Sequence, residues 1–203
     1  MTDAIGSLGS ALGKFQFESL GVQHGVYYGI RTGVVFNSPY GVAVDSSGNV
    51  YVADSGNNLV RKMDPLTGTV TNLGTSASPA FSSPRGVAVD SSGNVYVADA
   101  YNNLVRKIDP STGAVTDLGT SASPAFSSPE GVAVDSSGNV YVADTINNLV
   151  RKIDPSGTVT DLGTSASPAF SNPTGMAVDS SGRSEERRVG KECSVACRSR
   201  WSP

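Results

Sequence analysis

A unit of about 45 residues, repeated along the chain, constrains the fold more than any other feature of this sequence. Three copies of the string SPxGVAVDSSGNVYVAD begin at Ser38, Ser83 and Ser128, and a shortened copy, NPTGMAVDSSG, begins at Asn172. Spacings of 45, 45 and 44 residues separate the anchoring prolines, which are Pro39, Pro84, Pro129 and Pro173. Such a period is typical of architectures in which each unit packs against the next one.

Each unit contains four strand-like stretches separated by residues that favour turns. In the second unit these are Gly86–Asp90, Asn94–Asp99, Leu104–Asp109 and Ala114–Leu118. Short strands at a spacing of about 8–12 residues, with Gly, Asn and Pro between them, indicate an all-β fold. The first two stretches are apolar on both faces, as in strands that are covered on both sides. The third and fourth admit charged residues, so we expect them to be more exposed.

A four-stranded sheet that is buried at one edge and wetter at the other is typical of a β-propeller blade. We therefore predict an incomplete β-propeller of four-stranded antiparallel blades, with three full repeats plus leading and trailing fragments. Residues 34–38 occupy the place of residues 79–83 in the next copy, so part of a preceding unit is expected before Pro39.

The repeat resembles the NHL family of β-propellers. The matching motifs are PxGVAVD (Pro84–Asp90), GNVYVAD (Gly93–Asp99) and the asparagine pair with its apolar-basic strand (Asn102–Ile108). The resemblance covers residues 38–182 and departs from the family where many members have Asn-His, because this chain has Asn-Asn. It implies a propeller that usually closes with six blades. Three complete units are too few for that closure, so we expect raw edges, and poor solubility or self-association through open blade edges.

The last 21 residues differ from the rest of the chain. They contain both cysteines, the only tryptophan and six Lys or Arg against three Glu, whereas residues 1–182 contain nine Lys or Arg against fifteen Asp or Glu. The runs Arg183–Cys193 and Cys197–Pro203 resemble the in-frame translation of a sequencing adapter. We therefore interpret residues 183–203 as a non-native tail and expect the natural protein to continue past Gly182. The alternative is a basic tail that binds an acidic partner or membrane lipid.

The predicted organisation has three parts. Residues 1–24 form an N-terminal segment, poorly ordered or a short helix; residues 25–182 form the partial propeller; and residues 183–203 form the tail. Residues 1–20 lack the basic flank and apolar core of a signal peptide, which leaves the compartment open, with extracellular and cell-surface locations among the options. No apolar run approaches the roughly 18 residues of a membrane span. The net charge of −3 argues against a nucleic-acid partner.

We predict no catalytic residue, no metal and no cofactor. The one histidine, His24, lies before the repeats, and the only cysteines lie in the tail. The stretch Gly9–Lys14 is one residue short of a phosphate-binding loop, and Phe15 replaces the Ser or Thr that would follow. The aspartates before Ser-Ser-Gly are expected to accept hydrogen bonds in hairpin turns rather than to bind calcium. Those that close the second strand (Asp54, Asp99, Asp144) are expected to be structural, and the basic pairs of the third strand to support inter-blade pairing or a solvated rim.

The most informative positions are those at which nearly identical copies differ. One is the residue after the anchoring proline, and the other is the pair after the second strand. In an antiparallel meander both positions fall at the same end of the blade, where loops on a rigid scaffold carry binding residues. The alternative is neutral drift at exposed positions. The predicted ligand-binding residues are Tyr40, Arg85, Glu130, Thr174, Ser55, Gly56, Ala100, Tyr101, Thr145 and Ile146.

The leading hypothesis for function is a non-catalytic propeller scaffold that presents this loop face to a protein or polysaccharide. One alternative is a fragment of a propeller enzyme, of the lyase or lactonase type, whose catalytic blades are missing. Another is a purely structural or adhesive array of blades. A metal-dependent propeller enzyme would need converging His, Asp or Glu side chains near the axis, and the three complete copies contain none that break the repeat.

Overall fold

Three successive four-stranded antiparallel sheets repeat along the chain and confirm the predicted propeller blades. The structure, a computed structural model, describes residues 35–164, residues 169–178 and the backbone of residues 184–187. The predicted N-terminal segment 1–24 lies outside these ranges, as does all of the tail except those four residues. Among the described residues no helix is long and apolar enough to cross a membrane.

Each blade is a meander in which consecutive strands pair. Blade 1 contains β1 (Pro39–Val44), β2 (Val50–Asp54), β3 (Leu59–Met63) and β4 (Val70–Leu73). Blade 2 contains β5 (Pro84–Val89), β6 (Val95–Asp99), β7 (Leu104–Ile108) and β8 (Val115–Leu118). Blade 3 contains β9 (Pro129–Val134), β10 (Val140–Asp144), β11 (Leu149–Ile153) and β12 (Val159–Leu162). A two-stranded sheet follows, made of β13 (Gly175–Val178) and β14 (Ser184–Arg187).

The strand β14 falls within the segment that the sequence assigns to a non-native tail. Its backbone pairs with β13 in the place of a second blade strand, Val178 opposite Ser184. An open sheet edge offers main-chain donors and acceptors to any extended segment, whatever its side chains. The pairing of β14 with β13 therefore does not test the origin of residues 183–203, which stays a prediction.

The turn between the first two strands depends on an aspartate, as the sequence predicts. In blade 2, Asp90 accepts hydrogen bonds through Oδ1 from the backbone N–H groups of Ser92 and Asn94, each at 2.9 Å. Its Oδ2 accepts from the Asn94 side chain at 2.8 Å and from the Tyr96 hydroxyl at 3.0 Å. Gly93 takes the positive φ of 82° that closes the turn. The same contacts recur in blades 1 and 3.

The apolar core lies between blades. One face of blade 1, with Tyr51, Ala53 and Val60, packs against the opposite face of blade 2, including Val87 and Val97. The next interface repeats this arrangement with the equivalent residues of blades 2 and 3. Both interfaces contain a phenylalanine from the connection that joins the two blades, Phe81 in the first and Phe126 in the second.

Consecutive blades approach most closely along their first strands. A Cβ atom on Gly86 would lie 2.4 Å from the carbonyl oxygen of Glu130 in the next blade, and a Cβ atom on Gly41 would lie equally close to the Arg85 carbonyl oxygen. No side chain fits at these two glycines, because the atoms that it would meet belong to the backbone of the next blade. The first strands β1, β5, β9 and β13 are therefore packed side by side, which places them innermost, around the axis of the arc.

A buried ionic cluster, which we call the clamp, joins each blade to the connection before it. In blade 2, Asp99 accepts hydrogen bonds from the Ser82 backbone N–H at 2.8 Å and from the Asn102 side chain at 2.8 Å. An Arg106 Nη atom lies 3.0 Å from Asp99 and donates to the Pro79 carbonyl at 2.7 Å. The guanidinium also covers the Phe81 ring at 5.5 Å. The structural role predicted for Asp99 is confirmed by these contacts.

For the arginines of the third strand, the clamp corrects the expectation of inter-blade pairing or a solvated rim. Arg106 and Arg151 are completely buried, and each forms its ion pairs inside its own blade. The aspartate at the end of the second strand and a second carboxylate on the fourth strand, Asp117 or Asp161, neutralise each arginine. Buried arginines persist in proteins when paired in this way. In the sequence, an arginine beside a lysine gives no sign of which one faces inward.

Candidate binding face

Both variable positions of each blade lie at one end of the sheet, which we call the variable end. In blade 2, Pro84 of the first strand is the register partner of Asp99, the last residue of the second strand. The next residues after these are Arg85 and the turn Ala100–Asn102, and the Tyr101 N–H donates to the Ser82 carbonyl at 3.1 Å. The register therefore brings the two variable sites together.

The residues after the anchoring prolines contact one another across blades. The Arg85 guanidinium lies 5.1 Å from the Tyr40 ring centroid and forms an ion pair with Glu130. Only 21% of the Arg85 side chain and 13% of the Glu130 side chain are exposed. These three residues form a row around the inner strands, which we call the axial row. Tyr40 is 65% exposed, whereas Thr174, the next member of the series, is half-buried like Arg85 and Glu130.

The first residue of each variable pair is buried, which corrects its assignment to an exposed binding face. The residues concerned are Ser55, Ala100 and Thr145, each at most 7% exposed. The hydroxyl of Ser55 donates to the Pro84 carbonyl, and the hydroxyl of Thr145 donates to the Pro173 carbonyl at 2.8 Å. Each bond links a blade to the next one, so these side chains pack between blades and are closed to a ligand.

The second residue of each pair projects into solvent, and we call Gly56, Tyr101 and Ile146 the tip residues. Tyr101 is 67% exposed and Ile146 is 63% exposed. Large apolar side chains with this exposure are informative when they lie at the same place on adjacent blades. Gly56, in the same position of blade 1, contributes no side chain. The tips, together with Tyr40, which is 65% exposed, are therefore the large side chains of the predicted site that are open to a partner.

Constant residues hold each tip in place. In blade 2 the 3-10 turn Ala100–Asn102 ends at Asn103, whose φ of 57° is a left-handed conformation that asparagine tolerates. The Asn103 Oδ1 accepts from the Ser128 backbone N–H of the next connection at 2.8 Å. The Asn102 side chain donates to the Ala80 carbonyl at 2.7 Å. The asparagine pair thus makes a rigid support whose contacts do not depend on the tip.

The pKa values of the aspartates at the two ends of blade 2 are shifted in opposite directions. Burial raises the pKa of Asp99, against hydrogen bonds from Asn102 and Ser82 and the positive charge of Arg106, which favour the carboxylate. At the opposite end, burial acts to raise the pKa of Asp90, but hydrogen bonds from Asn94 and Tyr96 hold it below its usual value. Within the ranges that the structure describes, no three His, Cys, Asp or Glu side chains cluster closely enough to hold a metal ion.

Sequence reasoning missed the contacts within the axial row. A signal was available, because Arg85 and Glu130 are opposite charges at equivalent positions of consecutive copies. Equivalent positions on adjacent innermost strands are neighbours in a propeller, so opposite charges there can pair. The side chains that differ at these positions contact one another within the chain, whereas the side chains of Tyr101 and Ile146 are exposed to solvent.

Comparison with known proteins agrees with this architecture. The family model for the NHL repeat matches residues 36–63, 81–108 and 126–153, one stretch in each blade. No curated protein sequence matches the chain.

Several solved structures share the fold. Virginiamycin B lyase from Staphylococcus aureus superposes with a TM-score of 0.57 at 17% identity, over 77% of this chain and 57% of the lyase. A streptogramin B lyase gives 0.59 at 16% identity, over 76% and 56%. A chain of a nidogen/laminin complex gives 0.59 at 19% identity, over 71% and 54%. This chain therefore spans a little over half the length of each protein, and at these identities the likeness shows the fold alone.

The repeat motifs, the blade topology and the family match agree with one another. Each matched stretch begins at the phenylalanine that packs beneath the clamp arginine of its blade. Each ends at the last residue of the third strand of that blade. The chain contains three NHL repeats and has the fold of a partial β-propeller.

Proposed function

We propose that this chain is a non-catalytic scaffold that binds another protein through the tip residues Tyr101 and Ile146. The supporting observation is the contrast within blades 2 and 3, where the supporting contacts are the same and the exposed tips differ. Rigid, exposed aromatic and aliphatic side chains are suitable anchors for a protein interface. The half-buried Arg85 and Glu130 of the axial row form the polar margin of the same face.

A protein partner fits these side chains better than a polysaccharide does. The Tyr101 ring can stack on a sugar, but the Ile146 side chain offers neither a flat face nor a hydrogen bond. The likeness to a chain of the nidogen/laminin complex, which is a protein complex, is consistent with this choice. The enzyme alternative has less support, because Arg85 and Glu130 neutralise each other and, apart from the Tyr101 hydroxyl, the tips carry no group that could act as a general acid or base.

A random peptide library displayed on phage, selected against the immobilised full chain, tests this proposal. Peptides that bind the wild-type chain are measured against Tyr101→Ala/Ile146→Ala and against Leu66→Ala. Leu66 is the matched control because it is 86% exposed and lies in the turn at the other end of blade 1. We expect at least tenfold weaker binding to the double variant and unchanged binding to the control.

Two results would overturn the proposal. One is a selection that yields no peptide whose binding depends on Tyr101 and Ile146. The other is binding of soluble β-glucan or chitin oligosaccharides that is lost with Tyr101→Ala and retained with Ile146→Ala, because that pattern would identify a sugar-stacking site.

A further inference from the structure

The turn that carries each tip has the same geometry in all three blades, whatever its tip residue is. The N–H of the tip residue donates to a carbonyl of the preceding connection, at 2.9 Å for Gly56, 3.1 Å for Tyr101 and 3.2 Å for Ile146. The left-handed asparagine that ends the turn has a φ of 57°, 57° and 58° in blades 1, 2 and 3. A glycine, an aromatic ring and a branched aliphatic side chain therefore leave the turn unchanged, so each tip residue can vary independently of its support.

The connection before each blade decides whether its tip has room for a side chain. In blade 1, a Cβ atom on Gly56 would lie 2.6 Å from the Cγ of Asn37, whose side-chain amide donates to the Gly56 carbonyl at 3.3 Å. The equivalent residues before blades 2 and 3 are Ser82 and Ser127. A small connection residue thus accompanies each large tip, and a larger one accompanies the glycine. The tip position is therefore filled by the chain itself in blade 1 and is open in blades 2 and 3.

The charges near the tips cancel one another inside the chain. Arg85 pairs with Glu130, and the arginine of each clamp pairs with the aspartate that ends the second strand of its blade. A charged group of a partner would lose its water here without gaining an unpaired counter-charge among the residues that the structure describes at this end. The apolar surface of the tips is therefore what distinguishes one blade from the next for a partner.

We propose that each tip is a separate specificity-determining position for an uncharged apolar segment of a partner protein, which places one side chain on Tyr101 and another on Ile146. This inference rests on the proposed function and describes how that site selects its partner. The flat ring of Tyr101 suits a proline or an aromatic side chain, and Ile146 suits an aliphatic one. Main-chain and asparagine groups form the hydrogen bonds that hold the two turns, so a change at one tip leaves the support of the other intact.

Phage-selected peptides that bind the full chain and are lost with Tyr101→Ala/Ile146→Ala, which we call tip-dependent peptides, are the probes that test this inference. Their Kd is measured by fluorescence anisotropy for wild type, for each single variant and for the double variant. We expect the losses of the two single variants to multiply, to within about twofold, in the double variant. The Kd for wild type should change less than about threefold between about 50 and 500 mM NaCl, because no unpaired charge contributes to binding.

Exchange of the two tips gives a second readout. Tyr101→Ile/Ile146→Tyr should select peptides whose two anchor residues stand in the opposite order, because the turns are equivalent and only the side chains move. Leu66→Ala is the control and should select the wild-type order, since Leu66 is exposed at the other end of blade 1.

Blade 1 offers a gain of function that depends on the connection. In Asn37→Ser/Gly56→Tyr the amide that fills the tip position is removed, so selection should yield peptides with a third apolar position. Gly56→Tyr alone is the matched control, because Asn37 still occupies the space, and it should yield peptides with two. A third position gained equally with both variants would contradict the role of Asn37.

Three results would overturn the inference and leave the proposed function in place, because binding would still depend on the tips. One is a double variant that loses no more affinity than the weaker-binding single variant, which would show that the tips act as one patch. Another is a Kd of tip-dependent peptides that rises more than about tenfold between about 50 and 500 mM NaCl, which would identify a charged partner. The third is an unchanged anchor order after the tip exchange. A selection without any tip-dependent peptide would overturn the proposed function and this inference together.

Discussion

The clamp and the tip of blade 2 lie within a few residues of each other and are opposite in character. Asp99 and Arg106 are completely buried and are repeated in blade 3 as Asp144 and Arg151. Tyr101 is 67% exposed and is replaced by Ile146 in blade 3. The clamp donates to and accepts from the backbone of the preceding connection, while the tip side chain extends into solvent. The residues that fix the loop are therefore separate from those available to a partner.

This difference teaches how a nearly identical repeat can acquire different surfaces. Because the turn is held by Asn102, Asn103 and the clamp, its tip residue can change without loss of a structural contact. The axial row lies between these extremes, since Arg85 and Glu130 vary between blades and yet pair with each other. The following substitutions separate the three groups by their effect on stability.

Arg106→Ala should have the largest effect. Removal of the guanidinium leaves the buried Asp99 carboxylate without its cation and the Pro79 carbonyl without a donor. We expect a loss of about 3–5 kcal/mol in the free energy of unfolding, measured by urea denaturation. Lys107→Ala is the matched control, because Lys107 is the adjacent, partly exposed residue on the same strand, and it should cost less than about 1 kcal/mol. Equal losses for the two variants would contradict the clamp.

Gly86→Ala should have the next largest effect, by separating blades 2 and 3 at the axis. The new methyl group would meet the Glu130 carbonyl oxygen at 2.4 Å, and backbone on both sides restricts relief of the clash. We expect a loss of about 1–3 kcal/mol, the range typical of overpacking. Gly113→Ala is the control for a glycine with nothing within 4 Å, although its φ of 70° adds a backbone cost of its own. A neutral Gly86→Ala would contradict the close approach of the first strands.

Tyr96→Phe tests the hairpin turn and should cost about 1 kcal/mol at neutral pH, because Asp90 loses one hydrogen bond. It should also change the alkaline limb of the stability curve. Burial and the neighbouring aspartates raise the pKa of Tyr51 and of Tyr141 to about 12 and raise that of Tyr96 as well. An unfolded tyrosine ionises near pH 10, so this stabilisation is complete below pH 10 and is lost as the pH rises to about 12. Urea titrations at pH 8 to 12 should show a shallower decline for Tyr96→Phe than for wild type, and parallel declines would contradict this role.

The axial row should give the smallest structural effect. Arg85→Gln and Glu130→Gln, combined in a double-mutant cycle, should give a coupling energy of about 0.5–1 kcal/mol. The value is small because both side chains are partly exposed and solvent screens their attraction. A coupling energy of zero would contradict the pairing of Arg85 with Glu130, and both charges would then be available to a ligand.

The sequence predicted the blades because each strand and turn is determined by local residues. The Asp-Ser-Ser-Gly-Asn turn follows from turn chemistry, and β5 and β6 follow from stretches that are apolar on both faces. The two variable sites could be placed at one end because a meander fixes which turns share an end. Burial of Arg106 and of Ala100 could not be predicted in this way, because it depends on the connection and the blade that pack against them. Val42 and Val87 have the same sequence context and differ in exposure for this reason.

Amide hydrogen exchange with and without a peptide selected on the wild-type chain tests the central claim most directly, namely that the variable end is the recognition face. The account predicts added protection at residues 100–103 and 145–148, which carry the tips, and no change at residues 64–69 and 109–113 at the opposite end. Tyr101→Ala/Ile146→Ala should abolish that protection while its free energy of unfolding changes by less than about 1 kcal/mol. Protection confined to residues 64–69 and 109–113 would contradict the account.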